Sequence, residues 1–73
     1  MADQEPVVAV IRTKNGLTVI GIGMELHYER DPETKRLIET HSFFEPDTTL
    51  SDWMAFREAA WNLAFKIAFG WTA

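Results

Sequence analysis

The chain contains no cysteine. Disulfides, a thiol nucleophile and a thiolate metal site are therefore all excluded, and the composition fits a reducing cytoplasm. With 73 residues, a chain of this size buries only about 60% of the surface its unfolded form exposes. One small core has to hold it together. Glycine and proline are sparse, at 4 and 3 residues, which excludes collagen-like and low-complexity classes. Basic residues are also few: 7 against 11 acids, a net charge of −4. That balance argues against direct nucleic-acid binding, which needs clustered Lys and Arg. In the sequence the bases are scattered as Arg12, Lys14, Arg30, Lys35, Arg36, Arg57 and Lys66.

A long uninterrupted apolar run is missing as well. The most apolar stretch, Leu50 to Trp71, is broken by Asp52, Arg57, Glu58 and Lys66, so no membrane span is expected. The start, Met1 to Glu5, is acidic and lacks the positive charge and apolar run of a signal peptide. A cytoplasmic protein is the expectation. P-loop, G-x-G-x-x-G, G-x-S-x-G and H-E-x-x-H patterns are absent. No catalytic residue, cofactor or metal ion is expected, and the chain reads as a non-enzyme.

What is present is a hydrophobic fraction of 47%, enough for a globular domain. Residues 1–6 read as a short acidic tail and 7–73 as one domain. Val7 to Ile11 is β-branched and apolar, a strand signal. Asn15-Gly16 predicts a type I′ hairpin turn with Ile11 opposite Ile20. A single second strand runs on, with Ile20, Ile22, Met24, Leu26 and Tyr28 on its core side. Val8, Val10, Leu17 and Val19 then fall on the outer face, beside Gly21 and Gly23. Asp31-Pro32-Glu33-Thr34-Lys35 predicts a second turn, and Arg36 to Phe44 a third strand with Ile38 inward beside Tyr28. Thr49 with Asp52 three residues later matches a capping box, with Ser51 as a rival cap. A helix over Leu50 to Phe69 follows, with Gly70 as its stop. The expected fold is α+β: a three-stranded antiparallel meander (β-β-β) packed against one C-terminal amphipathic helix.

The helix carries two apolar stripes where one small sheet needs one. At 100° per residue, Trp53, Phe56, Ala60, Leu63, Ala64, Ile67 and Trp71 form the first. Met54, Trp61, Phe65, Ala68 and Phe69 form the second, and Glu58, Asn62 and Lys66 a narrow polar face. Either the sheet curls round the helix and both stripes are core, or the second stays exposed and binds a partner. Which stripe faces the sheet is open at this point. The residues picked out for partner binding are Met54, Trp61, Phe65, Phe69 and Glu58, with Val8 and Val10 from the outer sheet face. That stripe could equally join two copies into a homodimer. In the same register, Glu25 lies beside His41 and His27 beside Glu39. Such a set could bind Zn²⁺ or pair a base with an acid, against the plainer reading of a solvated ion-pair checkerboard. Acids in both main loops, Asp31, Glu33, Glu45, Asp47 and Asp52, could imitate phosphates toward a basic surface, or simply confer solubility.

In length, charge sign, lack of cysteine and mixed small-domain layout, the chain resembles the small acidic bacteriophage proteins that bind and redirect host machinery. Regulators of host RNA polymerase are among them. The resemblance implies a protein partner, bacterial RNA polymerase, with inhibition of initiation or altered termination, in the host cytoplasm. It carries over no individual residue.

Overall fold

A computed structural model describes residues 6–69. Its order is β1 (Ala9–Arg12), β2 (Gly16–Gly21), β3 (Met24–Arg30), β4 (Leu37–Phe44) and α1 (Leu50–Phe69). The fold is α+β, an antiparallel sheet in the order β1-β2-β3-β4 with one C-terminal helix. The sheet therefore has four strands, not three. The long second strand of the sequence reading reverses at Ile22-Gly23, so that Gly21 pairs with Met24. Gly23 holds a φ of 72°, open to glycine without steric cost. A two-residue turn pairs odd positions with even ones. The buried set accordingly passes from Leu17 and Val19 to Met24, Leu26 and Tyr28.

That turn also inverts the faces expected for the first hairpin. Leu17 and Val19 are buried beneath the helix, and Val10, paired with Val19, packs partly against the same core. Ile11 is exposed, and Ile22 is 78% exposed. Both faces of this hairpin are apolar, so alternation alone could not choose between them. What distinguishes them is Gly21: a methyl group there would lie 2.7 Å from a ring carbon of Phe56. Only the glycine-bearing face lets the helix approach this closely.

The first turn is displaced too. Thr13 N–H donates to Gly16 O at 2.9 Å, which makes Lys14 and Asn15 the central residues. Among the described residues, only Gly23 and Lys35 have positive φ, so the type I′ turn at Asn15-Gly16 is not formed. Gly16 is needed for another reason: any Cβ there would collide with the Tyr28 carbonyl oxygen on β3.

A β-bulge between His27 and Tyr28 shifts the β3–β4 register. Thr40 is the extra residue, and its hydroxyl donates to His27 O at 3.2 Å. Past the bulge, Leu37 and Glu39 share the helix side with Tyr28 and Arg30, while Ile38 turns outward. The inward placement of Ile38 is thereby corrected, since one inserted residue swaps the faces of half a strand.

The helix begins at Leu50 as the sequence indicates. Asp52 N–H donates to Thr49 Oγ1 at 3.1 Å, which makes Thr49 the cap. Phe56, Ala60 and Ala64 are fully buried against the sheet, with Trp53 and Ile67 partly so. The first stripe is thus the core stripe. Its last expected member, Trp71, and the stop at Gly70 lie outside the described residues, as do residues 1–5 of the acidic tail.

Candidate partner-binding face

With the first stripe committed to the core, the second faces outward along most of its length. Met54 is 60% exposed, Trp61 42% and Phe65 51%. The rings form a ladder that starts in the core. Tyr28 lies 5.9 Å from Trp61, Trp61 6.1 Å from Phe65, and Phe65 4.8 Å from Phe69, all between ring centroids. Helical spacing of four residues produces the last two contacts. Phe69 is half-buried, and the Arg30 guanidinium sits 4.6 Å over its ring, a cation–π arrangement.

The ladder borders a cleft of about 410 Å³ lined by Lys35, Arg36, Leu37, Trp61, Phe65 and Phe69. Leu37 is its buried floor, and the two bases stand exposed at its rim. The β3–β4 loop that supplies them is tightly held. Asp31 N–H donates to Arg36 O and Lys35 N–H to Asp31 O, both at 2.8 Å. The Glu33 N–H donates to Asp31 Oδ1 at 2.8 Å, and this bond is the main reason the Asp31 carboxyl titrates below its ordinary range. Lys35 adopts a φ of 65°, uncommon for a residue with a Cβ. The loop therefore presents Lys35 and Arg36 from a fixed backbone.

Of the residues singled out from sequence, Trp61, Phe65 and Phe69 come together at this cleft. Met54 shares the outward helix face but lies two turns before Trp61, away from the cleft. Glu58 is exposed on the helix, and Val8 is 62% exposed on the sheet margin. Val10 does not join Val8 on an outer face; it packs toward the helix. Lys35, Arg36 and Leu37 escaped the sequence reading, because only the β4 register sets them beside the end of the helix.

The four-residue Glu/His face is not assembled. His27 pairs with His41, ring centroids 5.9 Å apart, and Glu25 pairs with Phe43. The bulge sends Glu39 to the opposite side, where it accepts a 2.9 Å hydrogen bond from Arg57 Nη2. What remains is a short chain. His27 Nε2–H donates to Glu25 Oε1 at 3.1 Å, because a carboxylate only accepts. Nδ1 is then free to accept from the Thr18 hydroxyl, 3.2 Å away. Among the described residues, no group of three or more His, Asp or Glu is placed to hold a metal ion. Nor is any helix among them long and apolar enough to cross a membrane.

Among the described residues, Tyr28 is the one strongly shifted titrating group. Burial, with a smaller contribution from the Glu39 carboxylate, pushes its phenol up to about 12. It behaves as a core ring whose outer neighbour is Trp61.

Comparison with known proteins finds no matching family, no matching curated protein and no matching solved structure.

Proposed function

We propose that the protein acts by binding another protein through the outward helix face, with Trp61 and Phe65 as anchors and Met54 and Glu58 at its margin. One observation carries this reading. The core is filled without these rings, yet Trp61 and Phe65 stay 42% and 51% exposed beside a cleft. Aromatic side chains half-exposed at a concave, cation-rimmed surface are the kind that dominate interface energetics. The rings of the ladder touch one another, 6.1 and 4.8 Å apart between centroids, which does not suit them as separated platforms for bases.

The partner proposed is bacterial RNA polymerase, by the resemblance to phage regulators of host transcription. The outcome would be inhibited initiation or altered termination. The test is capture of purified polymerase by the immobilised protein, repeated with Trp61→Ala and Phe65→Ala. Retention by the native chain, lost in both variants with their fold intact, supports the reading. No retention of any polymerase subunit removes the polymerase, and retention unaffected by the two substitutions removes the site.

A further inference from the structure

The bases that are scattered in sequence are gathered in space. The β1–β2 turn, the β3–β4 loop and the last turn of the helix all lie at one end of the molecule. That end collects Arg12, Lys14, Arg30, Lys35, Arg36 and Lys66, six of the seven bases. Among the described residues three acids accompany them, Glu29, Asp31 and Glu33, so the bases there outnumber the acids by three. The aromatic cleft opens at this end.

The other end is its complement. The Ile22-Gly23 turn, the β4–α1 connection and the first turns of the helix meet there. Among the described residues it carries Glu25, Glu45, Asp47 and Asp52 and no base. Apolar side chains stand exposed between the acids: Phe44 at 48%, Leu50 at 72% and Met54 at 60%. One pole thus offers an apolar cleft with a cationic rim. The opposite pole offers apolar projections among carboxylates.

We propose that the occupant of the aromatic cleft is a second copy of this chain, which seats its acidic, apolar pole on the basic, aromatic pole of the first. The contact is head-to-tail. Leu50 and Met54 enter beside Trp61 and Phe65, and Glu45 and Asp47 meet Arg36 and Lys35. The two patches differ, so each copy keeps one free pole of each kind, and association runs on past the dimer unless rotation closes a ring. A net charge of −4 opposes any compact assembly, but only the local opposite charges meet at this contact, within a Debye length of one another. The inference goes beyond the partner-binding reading and does not need the polymerase: it uses the same cleft, so self-association would compete with a protein partner.

The test uses the purified chain alone, in sedimentation velocity over a range of concentrations. The weight-average mass should rise with concentration beyond that of a dimer. Association should weaken about tenfold or more between about 50 mM and about 500 mM salt. The decisive step is a charge-reversal pair. Lys35→Glu with Arg36→Glu damages only the basic pole, and Glu45→Lys with Asp47→Lys only the acidic pole; all four residues are exposed. Each variant alone should remain monomeric, because both of its poles then carry one sign of charge, and an equimolar mixture should associate again, because every contact in it joins opposite charges. Circular dichroism establishes that each is folded, and the salt dependence of the native chain needs no variant. A native chain that stays monomeric at about millimolar concentration in low salt overturns the proposal. So does association that stops at a dimer in the native chain, or a mixture of the two variants that forms no complex. None of these results bears on the polymerase capture.

Discussion

Replacing Gly21 by alanine puts a methyl group into the closest contact between sheet and helix. The new carbon would lie 2.7 and 2.8 Å from two ring carbons of Phe56, and 2.8 Å from the Pro6 carbonyl oxygen. The Pro6 contact is a backbone atom, which cannot swing aside as a side-chain end would. Phe56 has no room to move: it is fully buried. Overpacking of this kind costs ~1–3 kcal/mol, and the gain from replacing glycine in a strand returns less than ~1 kcal/mol. The net loss should be about 1–2 kcal/mol. A domain of this length has roughly 4–11 kcal/mol of stability in all, so the loss is easily read from urea unfolding at constant m. The double variant sharpens the test. With Phe56→Leu, the ring carbons that oppose the methyl group are gone, and Gly21→Ala should then cost about 1 kcal/mol less than in the native background. Additivity of the two changes within ~0.5 kcal/mol, or a neutral Gly21→Ala, would refute the claim that this contact selects the buried face of the hairpin.

Other consequences are as direct. Leu26→Ala, at a fully buried position, should destabilise by ~2–5 kcal/mol in the same assay. Thr49→Ala removes the helix cap and should cost about 1 kcal/mol. Breaking the solvent-accessible Arg57–Glu39 pair with Arg57→Ala should cost no more than ~1 kcal/mol, and less in high salt. Tyr28 is the single tyrosine, so its ionisation can be followed by ultraviolet absorbance and should centre near 12. Folding holds its neutral form, so that contribution to stability is complete below the ordinary tyrosine range near 10 and is lost as the pH rises from there through about 12. A midpoint at the ordinary value would show an open ring.

The start of the helix at Leu50 was legible in the sequence, because the Thr49 cap acts locally. The 3.6-residue period likewise marked Phe56, Ala60 and Ala64 as one stripe, but which of the two stripes faces the sheet was not decided by it. The strand count was not legible. Ile20, Ile22, Met24 and Leu26 alternate without a break across the Ile22-Gly23 turn, so the hydrophobic pattern reads as one long strand. The only local mark of reversal was a glycine, which also suits a strand approached closely by a neighbour. The Glu25/His27/Glu39/His41 face failed for a related reason. A bulge at Thr40 leaves no trace in alternation, yet it moves Glu39 across the sheet. At the candidate site, the aromatic half was visible as a surplus stripe, whereas Lys35, Arg36 and Leu37 depend on tertiary register.

The central claim is that Trp61 and Phe65 serve a partner and not the core. It is tested most directly by measuring stability and polymerase binding on the same Trp61→Ala/Phe65→Ala double variant. The account predicts a loss of stability of no more than ~2 kcal/mol, with binding weakened by ~2 kcal/mol or more. Unfolding of the double variant, at the ~3–5 kcal/mol per ring that core aromatics cost, or binding left unchanged, would contradict it.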